Sequence, residues 1–223
     1  MDLTEALRST GAVRDFRPDP VPSEVVYRLL DTARFAPNGG NRQAWHVVVV
    51  RDPVVKERLR DLYLPGWYEY LAQMEAGLTP FAAVTDDDAE LAARARAPEV
   101  EARLAEQLHE VPLLMVLTAD LRNLATLDRD LDRYTLVGGA SIYPFAWSLL
   151  LAAHDAGLGG VLTTMPIRQE PALKELLGVP GPLVAAGVIA LGYPAGRRAT
   201  RLRRNPVESF TTVDRYDGAV FTA

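Results

Sequence analysis

The sequence predicts an α/β (α+β) fold in which a mixed central sheet is flanked by helices on both faces. Three observations carry this. The short runs at 46–50, 113–117, 161–164 and 186–191 have the continuous apolar character of strands buried on both sides. They alternate with segments whose apolar residues recur at helical spacing. A chain of 223 residues with 48% hydrophobic and 24% charged content can bury one full core, so a single domain spanning 1–223 is expected.

In chain order, Asp2 caps a first short helix, with Glu5 three residues on and Leu3, Ala6 and Leu7 as its apolar stripe. Residues 9–17 run polar and turn-like toward Pro18, Pro20 and Pro22. Ser23 is a suitable N-cap for a second helix carrying Val26, Leu29, Leu30 and Ala33, which Pro37 stops. There the stretch A-P-N-G-G-N-R-Q-A-W, residues 36–45, forms a Gly-rich polar loop pinned by Pro37 and Trp45. By its chemistry it is a turn; it also presents backbone N–H groups and amide side chains suited to a planar or anionic ligand.

The strand at 46–50 ends at Asp52-Pro53, and residues 54–64 read as a helix. From 65 to 109 the pattern loosens into an aromatic cluster (Trp67, Tyr68, Tyr70), an acidic patch (Asp86, Asp87, Asp88) and helical sequence with Val100, Leu104 and Leu108 on one face. This is a solvated helical excursion or a mobile cap over a pocket. Residues 141–156 form a helix apolar nearly all round, with Ile142, Phe145, Trp147, Leu149, Leu150 and Leu151, and Pro144 fits its first turn. Such a helix is central or is covered by another subunit. Gly157-Leu158-Gly159-Gly160 ends it and leads into the strand at 161–164, whose consecutive threonines sit where a strand meets a loop. A short helix at 171–177, closed by Gly178 with Pro180 beyond, precedes the last strand at 186–191.

Composition excludes several functions. The net charge is −5 and the basic block is confined to residues 197–204, which argues against nucleic-acid binding. Without cysteine the chain has no disulfide, thiolate nucleophile or cysteine-held zinc or iron–sulfur centre, and no other metal set is evident. Redox chemistry here requires a bound cofactor. No run approaches the roughly 20 apolar residues of a membrane span, and the N-terminus is amphipathic and charged, so a cytoplasmic protein without a membrane partner is expected. No G-x-G-x-x-G follows a strand and no Walker-type lysine loop exists, which argues against a dedicated dinucleotide fingerprint. His46 begins a buried strand, His109 lies near a helix end and His154 sits on the apolar helix; all three read as structural.

Ligand-binding groups occur instead in separate segments: Arg14 in T-G-A-V-R-D-F, the 38–43 loop, Thr163-Thr164, and Arg204 in R-L-R-R-N-P. Two arginines from opposite ends of the chain can converge on one phosphate through charge-assisted hydrogen bonds, or each can be an ordinary surface residue.

Taken together, these segments resemble the FMN-dependent nitroreductase family. The likeness rests on residues 10–16 ending in R-D-F, on 36–45 against A-P-S-x-x-N-x-Q-P-W, on 153–166 against a G-L-G-x-x-x-T-T-x-P pattern, and on L-G-x-P, L-G-Y-P and a late R-x-P over 177–206. The resemblance implies an NAD(P)H-dependent FMN oxidoreductase of the nitroreductase fold, an intertwined homodimer with flavin at the interface. It implies that Thr10, Gly11, Ala12, Val13 and Arg14 wrap the ribityl phosphate and that Arg204 closes on it. Pro37, Asn38, Gly39 and Asn41 would touch the other subunit's FMN, and Thr163, Thr164 and Met165 would lie along the isoalloxazine. Gly40 would face a small-molecule acceptor, a nitroaromatic or quinone served by ping-pong hydride transfer; apart from the resemblance, Tyr63, Trp67, Tyr68 and Tyr70 can stack against that acceptor from the cap or form a packed hydrophobic cluster. No catalytic side chain is assigned. The family's R-R-S or R-x-S is replaced here by Thr10-Gly11-Ala12, and the variable helical cap around 65–110 carries no transferable motif. Same-fold flavin chemistry of another kind (dehalogenation, flavin fragmentation, deazaflavin-dependent reduction), a non-catalytic flavin-binding protein and a cofactor-free interaction protein stand as alternatives.

Overall fold

The computed structural model describes residues 2–97, 103–197 and 200–222. Its centre is a four-stranded sheet of β1 (Trp45–Val50), β2 (Leu113–Asp120), β3 (Gly159–Thr163) and β4 (Leu183–Gly192), in the order β1-β2-β4-β3. All three strand pairings are antiparallel. The parallel element of the sheet is the isolated bridge Ala12↔Gly160, which lays an N-terminal strap, residues 10–14, along β3.

The period-two pleat of β2 divides the core into two layers. Leu113, Met115 and Leu117 face one cluster with Leu29, Phe145 and Leu149, supplied by α2 (Ser23–Ala33) and α6 (Tyr143–Asp155). Leu114 and Val116 face the other, with Leu59 and Tyr63 of α3 (Pro53–Glu75), Leu108, and Leu173 of α7 (Glu170–Leu177). Both faces of β2 are thus covered, as its unbroken apolar run requires. The remaining helices are α1 (Leu3–Ser9), α4 (Asp87–Arg94) and α5 (Arg103–Glu106).

Several boundaries differ from expectation for identifiable reasons. The helix read as 54–64 runs on to Glu75 through Pro65. Asp52 caps it by accepting from the N–H groups of Val54 (2.8 Å) and Val55 (3.1 Å). Around Pro65, the packing of Tyr63 and Trp67 in the second core layer and of Gly66 against the turn at Met165–Gln169 outweighs the proline penalty, which falls on one hydrogen bond. Pro22, not Ser23, occupies the N-cap of α2, and the Ser23 hydroxyl accepts instead from Arg51 at 3.2 Å. The all-round apolar helix begins at Tyr143, after a 3₁₀ turn at Val137–Ser141, and Gly159-Gly160 lie inside β3 rather than in the turn before it. The 65–109 region is also less solvated than its composition suggests, because Ala105 and Leu108 are fully buried in the second core layer. Val100 lies outside the described residues, as does the side chain of Leu104.

Candidate flavin site

The strap at 10–14 is held by backbone geometry that only glycine permits on β3. Val13 N–H donates to the Gly160 carbonyl at 2.9 Å, and a Cβ on Gly159 would lie 2.6 Å from Cγ2 of Val13. A Cβ on Gly160 would lie 2.7 Å from the Ala190 carbonyl oxygen. Both contacts are shorter than real Cβ atoms tolerate, so the two glycines let three backbone segments approach closely. At its start the strap is fixed by Thr10, whose buried hydroxyl donates to the Ala6 carbonyl at 2.8 Å.

This placement brings Arg14 into the wall of a cavity of about 300 Å³ that Arg204 also lines, with Thr10, Gly11, Ala12 and Leu162 among the other walls. An adjoining cavity of about 220 Å³ shares Gly11, Ala12, Arg14 and His154 and adds Ser9 and Arg197. Two arginines and the apolar Val161 and Leu162 in one cavity lining suit an anionic group at the end of a less polar chain. Arg14 and Arg204 lie near opposite ends of the chain, and the fold brings them to one wall, the convergence that the sequence allowed and the resemblance implied.

Thr163 ends β3, Thr164 is exposed beyond it, and Met165 opens a 3₁₀ turn at Met165–Gln169. A tyrosine that the sequence placed with the cap aromatics stands behind them. Tyr63 is 2% exposed and lies near both Thr163 and Arg14. Burial pushes the phenol above its ordinary value, and the Thr163 side chain and the Arg14 charge pull against that. Tyr63 thus stands near both the Thr163 end of β3 and the Arg14 strap. The signal for this placement was its helical register with Leu59, both on the buried face of α3.

The Gly-rich loop is a 3₁₀ turn at Gly39–Asn41 with left-handed backbone at Gly40, Asn41 and Gln43. Asn38 braces it, accepting from Gln43 N–H at 2.9 Å and donating to the Ala36 carbonyl at 3.2 Å. Gly39 N–H donates to Ser141 at 3.0 Å. Within one chain this loop does not line the Arg14–Arg204 cavity. Pro37 borders a separate groove with Leu3, Phe35 and Leu151.

In the cap, Trp67 is sandwiched between Tyr63, with ring centres 6.1 Å apart, and Tyr70 at 5.3 Å with rings nearly parallel. Its indole nitrogen is buried and, among the described residues, has no hydrogen-bond partner. Tyr68 is half-buried beside it. Glu69 ties this extension of α3 to its neighbours by accepting from Arg94 at 2.9 Å and from Arg168 at 3.1 Å. Among the described residues no group of three or more His, Asp or Glu is placed to hold a metal, and no helix is long and apolar enough to cross a membrane.

Residues 7–193 match the Nitroreductase family, a stretch that includes the strap, the 37–41 loop, the cap and all four strands. The chain belongs to the nitroreductase family. It is accordingly an oxidoreductase, and the expected fold is the one found. Its relatives include an NADH dehydrogenase of Thermus thermophilus, 28% identical over 87% of this chain and 88% of that protein. Iodotyrosine deiodinase 1 of Homo sapiens is 30% identical over 93% of this chain, which spans 66% of that protein's length. Among solved structures, a BluB-like flavoprotein from Clostridium difficile superposes with a TM-score of 0.68 at 20% identity, covering 96% of this chain and all of that one. Arg204 lies beyond the stretch shared with the family, whereas Arg14 lies within it.

Proposed function

We propose that this nitroreductase-family protein binds FMN, takes hydride from NADH or NADPH and delivers it to a nitroaromatic, quinone or related small acceptor. The observation that carries this reading is the cavity walled by both Arg14 and Arg204 with the glycine-supported strap between them. When bound, FMN supplies the hydride transfer itself, in two half-reactions at one site.

The chain's own residues do the rest. Arg14 and Arg204 neutralise the phosphate, and Thr10, Gly11, Ala12 and Val13 shape the turn around it. Thr163, Thr164 and Met165 border the redox-active ring, with the buried Tyr63 near Thr163. Trp67 and Tyr68 belong to the cap that narrows the acceptor site, with Trp67 held there by stacking on Tyr63 and Tyr70. In this reading the protein is one domain, 1–223, with its cap around 65–110, and it works in the cytoplasm.

A homodimer completes the site. The loop residues Pro37, Asn38, Gly39, Gly40 and Asn41 lie away from their own chain's cavity, and α6 leaves Tyr143 and Trp147 exposed although the helix is apolar nearly all round. Tyr27 and Phe35 of the α2 region are exposed as well, at 73% and 74%. Large rings standing this far into solvent favour an interface between copies, across which the loop reaches a neighbour's flavin.

Reductive dehalogenation of a halophenol is the second reading, favoured by the resemblance to the human deiodinase over nearly the whole chain. The experiment is steady-state consumption of NADH and NADPH by the FMN-reconstituted protein with three acceptors, a nitroaromatic, a quinone and an iodophenol. Turnover with the first two supports the main reading. Deiodination alone supports the second, and no consumption with any acceptor refutes both in favour of a flavin-binding or cofactor-free protein.

A further inference from the structure

His154 is the feature that neither the sequence nor the proposed chemistry absorbs. It lies in the last turn of α6, is 8% exposed, and its ring forms part of the wall of both arginine-lined cavities. Its Nε2 is 3.0 Å from the hydroxyl of Ser9, the last residue of α1. That hydroxyl has one proton, and it donates it to the Glu5 carbonyl at 2.7 Å. Ser9 Oγ is therefore the acceptor toward His154, which fixes a proton on Nε2 of the ring.

The consequence is mechanical. Ser9 immediately precedes Thr10, where the strap leaves α1, and the strap's next anchor is the Val13–Gly160 bond on β3. Between those points, Gly11 and Ala12 line both cavities. The His154–Ser9 bond ties the helix end to α6, so one end of the strap is set by α6 and the other by β3. A core histidine with a purely space-filling role would not need its ring in the wall of a cavity that two arginines share.

We infer that His154 is a positioning residue of the phosphate site, holding the strap at 10–14 in its binding geometry through Ser9. This rests on the reading of the Arg14–Arg204 cavity as the site of the FMN phosphate. It also accounts for how a chain with Thr10-Gly11-Ala12 in this segment keeps a defined phosphate loop, because order supplied from α6 takes the place of side-chain contacts within the strap.

The test compares FMN with riboflavin, which has the same ring and no phosphate, in the wild type and in His154→Leu, His154→Gln and Ser9→Ala. Losing one buried hydrogen bond that orders the strap lowers FMN affinity about tenfold in His154→Leu and Ser9→Ala, with riboflavin affinity changed by less than about twofold. His154→Gln, whose amide N–H can still donate to Ser9, recovers FMN affinity to within about threefold of wild type. Hydrogen exchange at the Val13 amide gives a flavin-independent readout: faster in His154→Leu and restored in His154→Gln. Equal losses for FMN and riboflavin overturn the inference in favour of a general packing role, as does unchanged FMN affinity in all three variants. If the wild type binds neither flavin while Val13 exchange follows the expected order, the positioning role stands and the cofactor reading falls.

Discussion

Gly159→Ala probes how closely the strap must lie on β3. The added Cβ would meet Val13 Cγ2 at 2.6 Å and Val13 Cβ at 2.8 Å, where ordinary contact begins at 3.4 Å. Val13 cannot swing clear, because its backbone N–H is bonded to the Gly160 carbonyl at 2.9 Å and its branched side chain is stiff at χ1. The strap must therefore lift by roughly 0.8 Å, enough to stretch that bond beyond hydrogen-bonding distance. Overpacking of this kind costs about 1–3 kcal/mol, and a chain of this size then loses roughly 2–4 °C of Tm per kcal/mol. A displacement near 1 Å also degrades the grip of Arg14 on a phosphate, so FMN affinity falls about tenfold while riboflavin affinity barely moves. Adding Val13→Ala removes the two colliding methyls but keeps the Val13 Cβ contact at 2.8 Å, so it restores only part of both losses. Thermal denaturation and flavin titration of the two single variants and the double variant constitute the assay. A Gly159→Ala protein as stable and as tight for FMN as wild type would refute the reasoning, as would a double variant that is no better than Gly159→Ala alone.

Three further outcomes follow from the same geometry. Tyr63→Phe removes a buried hydroxyl near Thr163 and costs about 0.5–1.5 kcal/mol in chemical denaturation, with flavin reduction slowed and FMN affinity nearly kept; equal stability would show that the hydroxyl makes no net contribution. Asp128 is buried, accepts from the N–H groups of Leu136 (2.7 Å) and Val137 (3.2 Å) and pairs with Arg133 at 2.8 Å, which together hold its carboxyl down at about 2. Its folded value lies below the unfolded value near 4, so its contribution is complete above about pH 4 and disappears as pH falls toward 2. Exchange of the Leu136 and Val137 amides should accelerate over that window and be fast at neutral pH in Asp128→Ala. Glu69→Gln leaves the guanidiniums of Arg94 and Arg168 without their shared carboxylate and costs about 1 kcal/mol or less, because both arginines are partly exposed. It should loosen α4 and change acceptor preference more than flavin affinity, as read by proteolysis and by relative kcat/KM.

How much was visible beforehand depended on whether local chemistry or long-range packing decided the outcome. The strands were readable because β2 is buried on both faces and its composition shows it. The cap of α1 by Asp2 was readable because it is settled within four residues, Glu5 N–H donating to Asp2 at 3.1 Å. Pro65 misled for the opposite reason: its local signal is a helix stop, and the contacts that override it come from the sheet and from the turn after β3. In the site, the glycines and Arg14 stood out as a motif. Tyr63 did not, since a buried hydroxyl near Thr163 has no local signature, and His154 looked like any histidine on an apolar helix until Ser9 was found 3.0 Å away. The loop at 37–41 was legible as a loop, but where it acts depends on a second copy of the chain.

The central claim, that the Arg14–Arg204 cavity serves a flavin reduced by a nicotinamide, is tested most directly by the visible spectrum of the purified, FMN-reconstituted protein under anaerobic conditions. The expected result is the bands of oxidised flavin, retained through gel filtration by the wild type and lost by Arg14→Ala with Arg204→Ala, and their bleaching on addition of NADH or NADPH. A protein that stays colourless after reconstitution, or a bound flavin that neither nucleotide bleaches, would contradict it.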